Sequence, residues 1–255
     1  MPLFGTLDLA EVATGLPTLR DLDTEPWQLP KAETLQLLFE VPNATQALLP
    51  KALHPAVPAY AVIAVTRYAE SPVGPFTLAS LRLGCRAGAH PRGYVLGAVA
   101  STKDAATALR ERWGLPVEPG TVALKRRHDR IMASVERDGR PILDCALVDP
   151  EAISGGDVQY INWVTLARAP LDGKTEPLLI QVDPRHTFHK AERGRTEVSR
   201  LEAPAWNAAG LRLLNPIVAT ICLSDTDLPR IRFVMDPERS VIQGTRRIRE
   251  TRDGD

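Results

Sequence analysis

The chain has 255 residues, 31 basic and 31 acidic, a length that suits one large domain better than two independent ones. Balanced charge removes the electrostatic case for nucleic acid or an acidic membrane as a partner. Three widely spaced cysteines, Cys85, Cys145 and Cys222, form neither a disulfide framework nor a CxxC zinc pair and are expected to be buried, inert thiols.

The N-terminus, MPLFGTLDLAEVATG, lacks the basic start of a signal peptide, and no run of 18 apolar residues follows, so a soluble cytoplasmic protein is expected. Residues 1–30, broken by Pro17, Pro26 and Pro30, read as an arm lying on the body or on a neighbouring subunit. Four strand-like runs come next: ETLQLLFEV (33–41), AYAVIAVTRYAE (59–70), FTLASLRLGC (76–85) and GYVLGAVAS (93–101). Two helices interrupt them. One spans 43–49, with Asn43 as N-cap and Gln46 three residues on. The other spans 102–113 and places Ala105, Leu109 and Trp113 on one face.

The second half reads as β. TVALKRRHDRIMASVERDGRPILDCALVDP holds two or three strands turning at Asp138-Gly139, and YINWVTLARAP pairs with LLIQVDP around Asp172-Gly173. Further strands fall at 196–203, 217–224 and 230–236. Between them, DPRHTFHKAERGR (183–195) reads as a solvated excursion; its His186 and His189 lack a third ligand for a metal. The charged tail, 237–255, is expected to fray. No GxSxG, P-loop or GxGxxG motif appears. Many strands, few short helices and no βαβ alternation predict a mainly β (α+β) chain whose antiparallel sheet closes on itself.

The segment KDAATALRERWGLP (103–116) resembles the signature of the acetoacetate decarboxylase superfamily, in which a helix ends in Arg-Glu-x-Trp-Gly-x-Pro followed by two lysines. Arg110, Glu111, Trp113, Gly114 and Pro116 match it. FEVPNATQALLPKALHP, YAESPVGPF, ASVERDGRPIL, PLLIQVDP and RLEAPAWNAAGLRLLNP resemble other family segments in the same order, across residues 31–236. The resemblance implies an antiparallel β-cone or closed barrel with an apolar pocket, homo-oligomers, no cofactor or metal, and decarboxylation through a lysine Schiff base. A second cation beside that lysine depresses its pKa, and acetoacetate decarboxylase is the standard example of such tuning.

At the chemical positions the match fails. The Schiff-base lysine corresponds to Val117, its cationic neighbour to Glu118, the acid after the GPY motif to Leu78, and the early-strand arginine falls near Ala32, with Lys31 adjacent. Valine cannot form an imine. The pocket implied is lined by Val117, Trp113, Leu78, Pro116 and Phe76. Glu118, Glu111 and Arg110 are the candidate catalytic groups, and Lys103 and Lys125 are the substitute amines. The primary reading is a lyase-superfamily member acting on a small or medium carbonyl or carboxylic compound without a Schiff base. The alternative is a non-catalytic binding or scaffold protein. A third reading is a true decarboxylase using another lysine.

Overall fold

The computed structural model describes residues 4–88 and 90–248. A short turn of helix, α1 (Leu9–Val12), precedes the first strand, β1 (Trp27–Glu40). β2 (His54–Pro55), β3 (Tyr60–Tyr68), β4 (Phe76–Ala87) and β5 (His90–Ala100) follow, then the helix α2 (Lys103–Trp113). β6 (Val117–Pro119), β7 (Thr121–Arg127), β8 (Arg130–Arg137) and β9 (Arg140–Ile153) come next. β10 (Trp163–Leu171), β11 (Lys174–Val182), β12 (Arg185–Leu201), β13 (Pro216–Leu228), β14 (Phe233–Met235), α3 (Val241–Gly244) and β15 (Thr245–Arg247) follow among the described residues.

The strands join in one sheet, in the order β15-β14-β11-β10-β5-β4-β3-β1-β13-β12-β9-β8-β7, with β2 beside β4 and β6 beside β5. The mainly β architecture is as expected, but the sheet does not close into a barrel. β7 folds back across β3, β4 and β5 without pairing to them. Val122 and Leu124 of β7 pack there against Ile63, Leu81 and Val99, and this side-chain layer keeps the backbones beyond hydrogen-bonding reach. Residues alternating with these point to the other face. That second core gathers Leu29, Phe76, Leu78, Ala98, Trp163 and Ile180, so the sheet curls around it.

The hairpin turns follow their sequence signals: Asp138-Gly139 and Asp172-Gly173 all have positive φ. Four expectations need correction. Residues 43–48 form a 3-10 helix entered from Pro42, and Asn43 makes no side-chain cap. β1 starts at Trp27, inside the expected arm, with a bulge that puts Lys31 at φ +51. Residues 185–195 are not an excursion but the first part of β12, paired to β13 and β9. In the tail, residues 245–247 pair with β14, and 249–255 lie outside the described residues. All three cysteines are free and buried, and burial pushes the Cys85 and Cys145 thiols up to about 12. No helix among the described residues is long and apolar enough to cross a membrane.

Candidate functional site

The Thr102 hydroxyl caps α2 by accepting from the Ala105 N–H at 3.3 Å. The helix buries Ala105, Ala106, Leu109 and Trp113, then ends at Gly114, where φ is +63. A Cβ at Gly114 would lie 2.5 Å from Ala167 Cβ and 2.7 Å from Leu19 Cδ1, so both the turn and the packing require glycine. Trp113 locks this end: its indole N–H donates to the Pro229 carbonyl (3.2 Å), its own carbonyl accepts from Thr165 (2.9 Å), and its ring meets Trp27 edge-on.

The Pro116 carbonyl then accepts from the Ala98 N–H at 2.9 Å and starts β6 beside β5, with Val117 opposite Ala98 and Glu118 opposite Val99. Successive residues of a strand face opposite ways. Val117 is fully buried, and Glu118 is exposed, bonded to Arg110 Nη1 at 2.7 Å. Arg110 also donates to the Val117 carbonyl. Its ionic partner is therefore Glu118; neighbouring Glu111 faces Arg20 at 3.9 Å.

Val117, Leu78, Phe76 and Trp113 meet in one apolar cluster, with Ala32 and Tyr68 beside them and Pro116 half-buried at the edge. Lys31 points outward and its N–H donates to Asp225. All six lysines, Lys103 and Lys125 included, are exposed.

One level along the same inner surface the chemistry changes. On β4 the inward positions run Phe76, Leu78, Ser80, Arg82. Arg82 is 6% exposed. On β3 it stands opposite Val62, two same-face pairs along from Thr66, which stands opposite Leu78. Its Nε donates to Ser80 Oγ (3.0 Å), its Nη1 reaches the Ile161 carbonyl at 3.4 Å, and its guanidinium lies 4.4 Å over the Trp163 ring. Arg82 crosses β5 at Gly93, where a Cβ would press to 3.2 Å on its Cβ and Cδ. Among the described residues no carboxylate pairs with it. Burial lowers its pKa to about 10, with only the Tyr68 and Tyr160 phenols opposing, so it stays cationic at neutral pH. Arg92, by contrast, is paired with Asp183 and bonded to Gln181.

Residues 158–162 lie over this level without regular structure. Gln36 holds the Gln159 carbonyl (3.0 Å), Gly93 N–H the Asn162 carbonyl (2.8 Å), and Asn162 the Asp183 carboxylate (2.9 Å). The Tyr160 hydroxyl is buried beside Thr34 and Cys222 and makes no hydrogen bond of ordinary geometry. Outside the segment is an open basin of about 1270 Å³, whose wall includes Leu38, Tyr160, Ile161, Asn162, His186 and Phe188. His186 bonds Thr226 at 2.9 Å and meets the Tyr160 ring edge-on; burial first, then the Arg82 charge, lowers its pKa to about 4. His189 pairs instead with Asp225. Among the described residues no group of three His, Cys, Asp or Glu is placed to hold a metal.

The sequence reading passed over Arg82. The available signal was one arginine in FTLASLRLGC, a strand apolar in both phases, where a charge has no wet face to occupy.

A family model described as acetoacetate decarboxylase (ADC) matches residues 17–237. The chain belongs to that family. Three solved structures show the same fold at low identity. The acetoacetate decarboxylase of Legionella pneumophila is 16% identical with a TM-score of 0.73, covering 82% of this chain and 86% of that one. The enduracididine biosynthesis enzyme MppR, complexed with the condensation product of pyruvate and imidazole 4-carboxaldehyde, is 15% identical with a TM-score of 0.66, covering 80% and 87%. An acetoacetate decarboxylase-like enzyme from Sphingomonas wittichii RW1 is 17% identical with a TM-score of 0.62, covering 83% and 92%. A search of curated proteins gives no match.

Proposed function

We propose that this member of the acetoacetate decarboxylase family has left imine chemistry and works on a small or medium carbonyl or carboxylic compound held non-covalently in its interior. One observation carries the reading. Val117, which the resemblance aligns with the Schiff-base lysine, is buried in an apolar cluster, while all six lysines are exposed. An imine needs a neutral amine beside the ketone, and an amine in water is protonated at neutral pH. MppR, on the same fold, was solved with a product of pyruvate condensation, which supports testing oxo acids first.

For catalysis, the group best placed is His186, neutral at pH 7 and set on the basin wall beside Tyr160. Glu118, Glu111 and Arg110 would act only from the outer side of the loop. A non-catalytic binding protein is the second reading, favoured by the hydrocarbon at the Val117 level. Incubation with acetoacetate and borohydride is expected to leave the intact mass unchanged; an adduct on Lys103 or Lys125 would restore the decarboxylase reading. Turnover of 2-oxo and 3-oxo acids, followed by NMR, separates the other two. Conversion lost in His186→Gln supports an enzyme, and binding without conversion supports a carrier.

A further inference from the structure

Arg82 is a buried cation whose surroundings supply no counter-charge, and a buried charge left unpaired is strongly disfavoured. Stacking on Trp163 and one bond to Ser80 offset only part of that cost. Its hydrogen-bonding edge is also incomplete. Nε is committed to Ser80, Nη1 makes only the long contact to the Ile161 carbonyl, and Nη2 finds no acceptor among the described residues. Within electrostatic reach of it is a second donor without a geometric hydrogen bond, the buried Tyr160 hydroxyl near Thr34 and Cys222.

We propose that the Arg82 guanidinium anchors the carboxylate of a small monocarboxylic ligand, with the Tyr160 hydroxyl as a further donor, beneath segment 158–162. The proposal rests on reading the interior as a ligand chamber. The Nη1–Nη2 fork matches the two oxygens of one carboxylate. A single cation suits a single negative charge. The neighbouring cation, Arg92, is already held by Asp183, so a doubly charged phosphate would lack its second partner. Arg82 is not on the basin wall; with the segment displaced, Leu38, Ile161 and Phe188 of that wall would receive an apolar remainder extending outward from the anchor. Entry requires the Ile161 carbonyl to give up Nη1, and the 3.4 Å contact is the weakest of those holding the segment. Gly93 keeps the guanidinium's path across β5 clear.

Calorimetric titration of the full chain with acetate, butanoate, acetoacetate and benzoate, against butanamide and benzamide, tests this. At least one carboxylate is expected to bind some 50-fold or more tighter than its amide. Arg82→Met should weaken that carboxylate at least 100-fold and leave the amide unchanged. Its melting temperature should not fall, because methionine removes an unpaired charge while keeping most of the volume. Tyr160→Phe should weaken the carboxylate roughly tenfold, the loss of one hydrogen bond. If Arg82→Met does not fold, Tyr160→Phe and the carboxylate-to-amide ratio decide. Carboxylates bound as tightly by Arg82→Met as by the wild type, or inorganic phosphate bound tighter than every carboxylate, would overturn the assignment. Equal binding of amides and carboxylates sinks the Arg82 inference and leaves the small-molecule reading standing. No binding by any probe sinks both.

Discussion

Leu78 and Arg82 sit four residues apart on one strand and face the same interior, yet they belong to opposite environments. Leu78 shares one apolar cluster with Val117, Phe76 and Trp113, and stands opposite Thr66 on β3. Against Arg82 lie the Ser80 hydroxyl, the Ile161 carbonyl and the Trp163 ring, with two phenols and the His186 ring within electrostatic reach, and no carboxylate among the described residues pairs with the cation. The resemblance places the family's chemistry at the first level. On the proposed function, hydrocarbon stands where the family has its amine, and an unpaired buried cation lies four residues farther along the wall from Leu78.

The largest blow to this contrast is to place an amine at the apolar level. Val117→Lys should cost about 3–5 kcal/mol in chemical denaturation, since nothing there pairs with an ammonium. Adding Glu118→Lys should change little, because residue 118 faces outward toward Arg110. A Val117→Lys variant as stable as the wild type would mean that this level is not filled.

The second test uses pH at the polar level. His186 is neutral in the fold, with its pKa near 4 against an ordinary 6.5, so on acidification the unfolded chain takes up the proton first. Its contribution is complete above about pH 6.5 and is lost as pH falls toward 4, amounting to about 3 kcal/mol at most at 1.4 kcal/mol per unit. The stability of His186→Gln should fall less steeply than the wild type's across that window; parallel curves would show that the ring is solvated.

A smaller effect probes the route of Arg82. Gly93→Ala should cost about 1–2 kcal/mol by crowding the side chain at 3.2 Å, and most of that should vanish when Arg82 is also alanine. Strictly additive losses would show that the glycine serves something else. The smallest effect belongs to the rim. Glu118→Gln removes an exposed ion pair with Arg110 and should shift stability by no more than about 0.5 kcal/mol, with ligand binding unchanged.

Much of the fold was legible because its signals are local. The Asp-Gly turns, the period-two strands and the buried face of α2 depend on residues close in the chain, and they appear where they were read. The first part of β12 was missed because its RHTFHKAERGR stretch carries charge in both phases. Its pairing comes from backbone bonds to β9 and β13, which leave no apolar pattern. β1 was read too short because Pro30 and Lys31 look like a boundary, while the structure carries the strand through a bulge there.

From the sequence alone it follows that position 117 holds no amine, and that a tight Trp-Gly-Leu-Pro turn presents Val117 and Glu118. The sequence could not say which of the two faces inward. That choice was made by Ala98 pairing with Val117 on β5 and by the apolar cluster the valine completes. Nor could it show that Arg82 lacks a counter-ion. The absence of a charge partner is a property of every side chain within reach, and here these come from β3, β10, β12 and segment 158–162, brought together only when the sheet curls.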